Sequence, residues 1–461
     1  MKEFSISELA KIVRADVKVN SDAVFAGVST DTRTIGRGQC FVAIKGENFD
    51  GHEYVGLAFE KGAACAIVNR DFDMPAGLGG VLVRVADPVV AMGELARAYR
   101  RRIGAKIIGI TGSAGKTTTR QMSYHVLSKF FKCHAAIKSF NNNIGVPLTI
   151  MGIEASHEVA IIELGSNHPG EIEYLSRIAE PDVAVVVNAL EAHIENFGSV
   201  GAIIKEKVSI AAGLRQGGVL IVNDDSEGLA EYCLASGFNY TTFGKSRHAD
   251  ISASNIKVDA FSSEFWIEGQ CVKLAVPGKG NIDNALAAWA LCKSVGISAG
   301  QFAEAIADFA GVAMRLEQIR LGQMLVISDC YNANPASMKN AVELLETIGK
   351  AEKNRRTVFI CGQMLELGEH SDRLHIELGM RIGGGGVGVV MASGRWGQMV
   401  AEAAREASAG EIEAYCFENT DELCNKLSNL LRNDDIILIK GSRGARLEVA
   451  VEKIKELFGS K

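Results

Sequence analysis

The sequence lacks the features of a disulfide-bonded, zinc-binding or membrane-spanning protein. Its ten cysteines are scattered and include no CxxC pair, so we expect small buried thiols in a reducing compartment. No apolar run approaches the ~20 residues that a membrane-spanning helix needs. The N-terminal segment MKEFSISELAKIV carries charges throughout and has no apolar core of a secretory signal. These absences predict a cytoplasmic protein.

The sequence also lacks an excess of positive charge. Lys and Arg total 49 against 55 Asp and Glu, which gives a net charge of -6, whereas nucleic-acid-binding surfaces concentrate positive charge. Hydrophobic residues make up 47% and charged residues 23%, proportions typical of a globular protein. A chain of 461 residues exceeds what one hydrophobic core usually organises. We therefore expect two or three domains and neither a nucleic-acid nor a membrane partner.

Three sections of the chain differ in pattern. Residues 1–104 hold short apolar runs such as GQCFVAIKG and CAIVN and end in the charged stretch LARAYRRRIGAK, which predicts a small α/β domain. Residues 105–311 contain KIIGI, VAIIEL, DVAVVVN and GGVLIVN, runs typical of strands in a doubly wound parallel sheet. Within them, residues 249–277 alternate in polarity and predict an antiparallel excursion. Residues 312–461 repeat the strand and helix pattern, so a second open, Rossmann-like α/β domain is expected.

Glycines mark two further features of the third section. Apolar residues recur at three- and four-residue steps from Met338 to Ile348, which predicts an amphipathic helix. Gly349 is expected to end that helix. Four consecutive glycines at 383–386 predict a turn before a strand and do not form a GxGxxG fingerprint.

The segment KIIGITGSAGKTTTRQM places a glycine-containing loop between a predicted strand and a predicted helix. Gly112 and Gly115 allow backbone N–H groups to point at phosphate oxygens, Lys116 can neutralise the terminal phosphates, and Thr117 offers a hydroxyl to Mg²⁺. The loop is shorter than the general G-x-x-x-x-G-K-[ST] pattern, because Ile110 stands at the first glycine position. We interpret residues 111–118 as a nucleotide site; a glycine-rich turn with an incidental lysine is the alternative.

Two polar residues follow neighbouring predicted strands. Glu163 ends VAIIEL, and His193 lies just beyond DVAVVVN. Open α/β sheets place their chemistry at the carboxyl ends of strands, so both residues are candidate Mg²⁺ ligands. Taken alone, each would more often be structural.

Several strings together resemble the Mur ligase family over essentially the whole chain. TGSAGKTTT is similar to the family's short TGxxGKT/S loop, and NNNIGVPLT, ELGSNHPGEI and DCYNANPASM are similar to segments typical of one branch of the family. GQMLELGE and IKGSRGARLE resemble its C-terminal signatures. STDTR, FVAIKG and DGH resemble its substrate-nucleotide domain.

The resemblance implies three α/β domains: an N-terminal UDP-substrate domain, a central P-loop ATPase domain, and a C-terminal domain that closes over the site. It implies an ATP-dependent amide ligase of peptidoglycan precursor synthesis. The γ-phosphate of ATP would activate the terminal carboxylate of UDP-N-acetylmuramoyl-tripeptide, and the amine of D-alanyl-D-alanine would attack the resulting acyl phosphate. Phosphorylation turns a poor electrophile into one with a good leaving group, while positioning and cations stabilise the spread charge.

The resemblance also implies residue roles, each carried over within a matching string. The implied catalytic residues are Lys116, Glu163, His193 and Lys207. The implied metal ligands are Thr117, Glu163, His193 and Lys207, and the resemblance implies that Lys207 is carbamylated. Without the resemblance, Lys207 in IIKEKVSI would be a surface lysine of a helix, and Lys205 is the alternative register. The implied nucleotide-binding residues are Thr111, Gly112, Ser113, Ala114, Gly115, Lys116, Thr117, Thr118, Asn281, Asn284, Arg315 and Asp329. The implied substrate-binding residues are Thr30, Asp31, Arg33, Lys45, His52, Asn142, Asn167 and Asn332.

Three positions depart from the family pattern. Gly280 stands where histidine is usual, Asn143 where an acidic residue is common, and Gln363 where aspartate is usual. None of these departures removes an implied metal ligand or the phosphate lysine, so activity is expected.

Three alternative functions stay open. They are a ligase of the same superfamily acting on a folate or another cell-wall precursor, a nucleotide-binding regulator without catalysis, and a P-loop phosphotransferase acting on a hydroxyl. The third residue of the tripeptide, lysine or diaminopimelate, stays open, and a monomer is the default.

Overall fold

The computed structural model of the chain describes residues 1–15, 22–73, 79–136, 139–192 and 194–459. Three α/β regions follow one another, each built around a sheet that is wholly or mostly parallel. The predicted three-domain α/β architecture is confirmed, while its boundaries at 104/105 and 311/312 stay predictions. None of the helices in these ranges is long and apolar enough to cross a membrane.

The N-terminal region is a small parallel sheet with three helices. Its elements are β1 (Phe4–Ser5), α1 (Ile6–Ile12), β2 (Val24–Phe25), β3 (Val28–Ser29), β4 (Cys40–Val42), a 3-10 helix (Gly51–Tyr54), α2 (Val55–Glu60), β5 (Cys65–Asn69), β6 (Val81–Val85) and α3 (Pro88–Arg100). Strands β3 to β6 form one parallel sheet in that order, and β1 pairs with β2 antiparallel. Helix α3 begins at a capping signal, because the Asp87 side chain accepts hydrogen bonds from the N–H groups of Val89 and Val90 and Pro88 fits the first turn.

The central region is built on seven parallel strands. Its elements are β7 (Lys106–Thr111), α4 (Lys116–Leu127), β8 (Cys133–Ala135), α5 (Gly145–Met151), β9 (Val159–Glu163), α6 (Glu171–Ala179), β10 (Val183–Val186), α7 (Ile194–Phe197), α8 (Val200–Val208), a 3-10 helix (Ser209–Gly213), β11 (Val219–Asn223), α9 (Leu229–Ala235), β12 (Tyr240–Gly244), β13 (Ile251–Ser252), β14 (Ser254–Val258), β15 (Ser263–Ile267), β16 (Gln270–Leu274), α10 (Lys279–Ser294) and α11 (Ala299–Ile306). The sheet order is β13-β12-β11-β10-β7-β9-β8. Ile107 and Ile108 on the central strand enter different cores. Burial on both faces explains why these strands read as continuous apolar runs.

The C-terminal region is the second open sheet that the sequence predicts. Its elements are β17 (Glu317–Leu321), β18 (Met324–Asp329), α12 (Pro335–Ala351), β19 (Thr357–Cys361), a 3-10 helix (Gly368–His370), α13 (Ser371–Gly383), β20 (Val389–Ser393), α14 (Gly397–Ala407), β21 (Glu413–Phe417), α15 (Thr420–Leu430), β22 (Ile436–Lys440), a 3-10 helix (Arg443–Ala445) and α16 (Glu448–Phe458). The sheet order is β17-β18-β22-β19-β20-β21, and β17 is its antiparallel strand. The four glycines end α13 and form the predicted turn before β20.

The predicted antiparallel excursion is confirmed as the three-stranded sheet β14-β15-β16. Its turn reaches the C-terminal region, where Ala260 and Phe261 pack against that region's hydrophobic core. The guanidinium of Arg320 lies 5.1 Å from the centre of the Phe261 ring. The excursion therefore links the central and C-terminal regions by apolar contact.

The expectation that Gly349 ends its helix is wrong. Helix α12 continues through Gly349 to Ala351. A Cβ atom at Gly349 would lie 2.9 Å from Cγ2 of Thr357 at the start of β19. Glycine stands at this position because the helix packs closely against the strand, and not because the helix ends there.

We expect Gly213→Ala to lower the free energy of unfolding by about 1–3 kcal/mol, the usual cost of overpacking. The new Cβ would lie 2.1 Å from the carbonyl oxygen of Ser176, so helix α6 would have to shift. Gly201→Ala is the matched control, because its only neighbour is Ser199 Oγ at 4.0 Å, and it should be neutral or slightly stabilising in helix α8. Urea denaturation midpoints measure both; equal losses would contradict the packing argument.

Candidate active site

A cavity of about 830 Å³ opens between the central and C-terminal regions. Loops after β7, β9, β10, β11 and β12 line it from one side, and loops after β18 and β22 from the other. Carboxyl ends of parallel strands are where open α/β sheets bind ligands. The predicted site residues that line the cavity are Ser113, Ala114, Gly115, Lys116, Thr117, Thr118, Asn142, Glu163, Asn167, Asn281, Asn284, Arg315, Asp329 and Asn332.

The loop between β7 and α4 adopts the sharp curl expected of a phosphate-binding loop. Gly115 precedes α4 with a φ of 80°, and a Cβ atom there would lie 2.1 Å from Oδ1 of Asn284. Both the backbone conformation and this close approach favour glycine. Asn188, which follows β10, holds the loop from the other side: its Oδ1 accepts from the N–H of Ala114 at 2.9 Å, and its carbonyl accepts from the N–H of Ser113 at 3.1 Å.

Lys116 begins α4 and points back over the loop, where its Nζ donates to the carbonyl of Gly112. Burial lowers the pKa of Lys116; the Glu163 carboxylate opposes that shift, and Arg315 adds to it. A polyanion bound here would favour the charged form of the lysine. The loop, the helix N-terminus and Lys116 together can bind phosphate groups.

Glu163 is the centre of a buried hydrogen-bond cluster. Its side chain is 2% exposed, and its carboxylate accepts from Thr117 Oγ1 at 3.0 Å and from Asn141 Nδ2 at 2.9 Å. The Nε atom of Arg120 lies 3.7 Å from the same carboxylate. From the C-terminal region, Arg315 Nη2 donates to Thr117 Oγ1 at 3.1 Å. The two regions therefore meet at the phosphate loop.

Lys207 is buried, so the alternative interpretation, a surface lysine of the helix, is wrong. It is 2% exposed, whereas Lys205 lies at the surface, because α8 turns Lys207 toward the loop after β9. Its Nζ donates to Ser166 Oγ at 2.7 Å, and Ser166 lines the cavity. Burial lowers the pKa of Lys207 to about 7, and the charge of Lys116 adds to the shift.

Glu206, the neighbour of Lys207 on α8, fixes the loop that carries Ser166. Its buried carboxylate accepts from the N–H of Gly170 at 2.7 Å and from the N–H of Ile172 at 2.8 Å. These are N–H groups at the start of α6 that the helix itself leaves unpaired. The contact ties the loop after β9 to α8, and so to Lys207.

Helix α10 supplies the wall beside the phosphate loop. Asn281 and Asn284 are buried there, and Asn281 Nδ2 donates to the carbonyl of Pro277 at 2.8 Å. Next to them Lys245 Nζ lies 2.5 Å from Asp283 Oδ1 and 3.7 Å from Asp225 Oδ2. Burial raises the pKa of Asp283, and the neighbouring lysine opposes this.

Comparison with known proteins assigns the chain to a family. Residues 24–103 match the Mur ligase family catalytic domain, residues 110–292 the Mur ligase middle domain, and residues 314–443 the Mur ligase glutamate ligase domain. The chain is 35% identical to the UDP-N-acetylmuramoyl-tripeptide–D-alanyl-D-alanine ligase of Bacillus subtilis, with 98% of each chain covered. The chain belongs to the Mur ligase family. It is also 33% identical to the ligase of the same name from Escherichia coli, with 99% of each chain covered.

A solved Mur ligase has the same fold over the whole length. The crystal structure of MurF from Acinetobacter baumannii superposes with a TM-score of 0.87 at 29% identity, covering 99% of each chain. The three-domain α/β architecture described above is thus that of a Mur ligase.

The C-terminal wall of this Mur ligase contains residues that the sequence analysis missed. Lys440, at the end of β22, donates to Asp329 Oδ2 at 2.7 Å and to the carbonyl of Asn332 at 3.0 Å. The Arg315 guanidinium lies 4.3 Å from the centre of the Tyr331 ring. Lys440 could have been found by the rule that picked Glu163, because both end a buried strand at a ligand-facing edge. Tyr331 carried no signal beyond its place in DCYNANPASM.

The five predicted N-terminal substrate residues, Thr30, Asp31, Arg33, Lys45 and His52, do not line the cavity. Arg33 pairs with Asp31, with Nη2 2.7 Å from Oδ2, and Lys45 Nζ lies 3.6 Å from Asp50 Oδ2. His52 has both ring nitrogens engaged, with Asp50 Oδ1 at 2.6 Å and with the N–H of Asn69 at 3.0 Å. Of the other predicted residues, Thr111, Gly112 and Lys207 are buried and do not line the cavity. His193 falls outside the described residues.

Proposed function

We propose that this Mur ligase is an ATP-dependent amide ligase that joins D-alanyl-D-alanine to the terminal carboxylate of UDP-N-acetylmuramoyl-tripeptide. The observation that carries the proposal is the meeting of Arg315 with Thr117 across the cavity, which brings a cation of the C-terminal region to the phosphate loop. The full-length relatives from Bacillus subtilis and Escherichia coli that carry this ligase name support the choice of substrates. The MurF crystal structure supports it through shared fold.

The residues around the phosphate loop suit the first chemical step. A carboxylate oxygen of the tripeptide attacks the γ-phosphorus of ATP, and the bond to ADP breaks. Lys116 and Arg315 carry positive charge where negative charge spreads over the transferring group, and they are held by the fold before the reaction begins. Arg315 comes from the C-terminal region, so closure of that region would complete the site and exclude water.

The second step joins the two substrates. The amine of the dipeptide attacks the acyl carbon of the phosphorylated tripeptide, and a tetrahedral intermediate forms. Its collapse breaks the bond to phosphate, and the nitrogen loses a proton as the amide forms. Asn142, Asn167 and Asn332, which line the same cavity, can position the two peptides by hydrogen bonds.

Mg²⁺ fits the oxygen donors present, the hydroxyl of Thr117 and the carboxylate of Glu163. No cluster of three or more His, Cys, Asp or Glu side chains that could hold a metal occurs in the described parts of the chain. The ion would therefore also need phosphate oxygens of ATP, water and the further ligands His193 and a modified Lys207. When bound, Mg²⁺ would offset the charge of the phosphates.

Carbamylation of Lys207 would provide such a ligand. The neutral amine attacks CO₂ and releases one proton, which leaves a carbamate with two oxygen atoms in place of an ammonium. A lysine whose pKa is lowered to about 7 is substantially neutral at physiological pH. Ser166 Oγ at 2.7 Å can donate a hydrogen bond to the carbamate.

Phosphate release from ATP tests the proposed activity. We expect release in the presence of UDP-N-acetylmuramoyl-tripeptide to depend on D-alanyl-D-alanine, with single amino acids and folates inactive as substrates. Two forms of this substrate are compared, one with lysine and one with diaminopimelate as the third residue of the tripeptide. ATP binding without dipeptide-dependent release, for both tripeptides, would overturn the proposal and favour a regulator. The cytoplasmic location and the monomeric state of this Mur ligase stay predictions.

A further inference from the structure

The acceptor dipeptide carries a free carboxylate at the end opposite to its reacting amine, and this carboxylate needs a cationic partner inside the cavity. This inference rests on the proposed function. A carboxylate that is taken out of water without a partner weakens binding, because nothing replaces its lost hydration. Among the described residues, the Lys and Arg side chains that line the cavity are Lys116, Lys245, Lys279, Arg315, Lys440 and Arg443.

Five of these six cations either pair with a carboxylate or lie at the phosphate loop. Lys116 and Arg315 meet at the phosphate loop. Lys440 is buried against Asp329 at 2.7 Å, and Lys245 lies 2.5 Å from Asp283. Lys279 lies 3.3 Å from Glu343, beside the asparagines of α10.

Arg443 is the cavity cation with the weakest pairing. The carboxylate nearest to it belongs to Glu448, and the separation of 3.7 Å between Nη1 and Oε1 exceeds hydrogen-bond length. Its other contacts are the Met314 sulfur at 3.7 Å and the Tyr331 ring, whose centre lies 6.0 Å from the guanidinium. The geometry points to Arg443 as the residue that binds the free carboxylate of D-alanyl-D-alanine.

The placement of Arg443 relative to the phosphate loop suits a dipeptide. Arg443 and Arg315 share the Tyr331 ring, at 6.0 and 4.3 Å from its centre, and Arg315 contacts Thr117. Two extended residues span about 7 Å. A dipeptide held at Arg443 by its carboxylate can therefore extend its amine across Tyr331 toward the phosphate loop, where the acyl phosphate forms.

A glycine and an apolar side chain form the cavity wall beside Arg443. A Cβ atom at Gly444 would lie 2.9 Å from Cδ1 of Leu365, and both residues line the cavity next to Arg443. The planar guanidinium can pair with a carboxylate through two parallel hydrogen bonds. A bidentate contact beside an apolar surface suits the terminal D-alanine, with its carboxylate and its single methyl group.

Comparison of D-alanyl-D-alanine with D-alanyl-D-alaninamide tests this assignment, because the two differ in the carboxylate alone. For the wild type we expect kcat/KM to favour the acid by about 10- to 100-fold, as for a charge-assisted hydrogen-bonded pair. Arg443→Gln should raise KM for the acid by that factor and abolish the preference, with KM for ATP and the tripeptide substrate unchanged. Arg443→Lys should keep part of the preference.

Arg446→Gln is the matched control, since Arg446 lies at the surface of the same loop and does not line the cavity. It should keep the full preference for the acid. The assignment is overturned if the wild type does not distinguish acid from amide, if Arg443→Gln still prefers the acid, or if that variant loses activity equally with both. If the wild type shows no dipeptide-dependent turnover at all, the proposed function is overturned, and the assignment of Arg443 is overturned with it.

Discussion

Replacing Lys116 by alanine is expected to reduce dipeptide-dependent phosphate release by about 10³-fold, the upper range for losing one preorganised charge-stabilising group. Burial lowers the pKa of Lys116, and Arg315 adds to that shift. The charged lysine is therefore unfavourable in the folded protein until phosphates bind beside it. The lysine should therefore matter more for the reaction than for stability. Single-turnover phosphate release and the melting temperature measure the two effects separately.

Lys106→Ala is the matched control for this variant. Lys106 starts the same strand, β7, and is exposed at the end away from the loop, so its replacement should leave both the rate and the melting temperature close to wild type. If Lys116→Ala kept more than a tenth of wild-type release, the phosphate loop would not carry out the proposed role.

The strands around the site could be predicted because parallel strands buried on both faces need continuous apolar runs. VAIIEL and DVAVVVN became β9 and β10, and the alternating segment became the antiparallel sheet. Gly349 shows the limit of such reasoning. The same residue type ends helices or allows close packing, and the contact with Thr357 that decides between them is remote in sequence.

Site residues were predictable where a local pattern carried the chemistry. The phosphate loop needs a strand, a turn and a helix in succession, all of which the sequence displays. Lys207 is different, because its burial depends on how α8 packs against the loop after β9, and neighbouring Lys205 has the opposite exposure. Arg443 follows β22 in the C-terminal region, so only the meeting of two regions places it in the same cavity as the phosphate loop.

Replacing Lys207 by glutamine is expected to reduce the ligase rate by about 10²- to 10³-fold, as for loss of a group that organises charge at the reacting phosphates. Glutamine has a similar length but cannot form a carbamate. Lys205→Gln, on the exposed face of the same helix, should keep wild-type activity. With ¹³C-labelled bicarbonate, the wild type and Lys205→Gln should each show a carbamate carbon signal by NMR that Lys207→Gln lacks. A signal unaffected by Lys207→Gln would place the modification on another residue.

The dependence of stability on pH tests the buried amine independently of carbamylation. In buffer depleted of CO₂, the folded chain holds Lys207 with a pKa of about 7 against an ordinary value of 10.5. The unfolded chain therefore binds the proton more tightly between those values, and protonation at lower pH favours unfolding. The unfolding free energy of the wild type, measured relative to Lys207→Gln, should rise as the pH increases from about 7 toward 10. A difference that stays flat over this range would mean that the Lys207 amine has an ordinary pKa, and it would remove the physical basis for carbamylation at neutral pH.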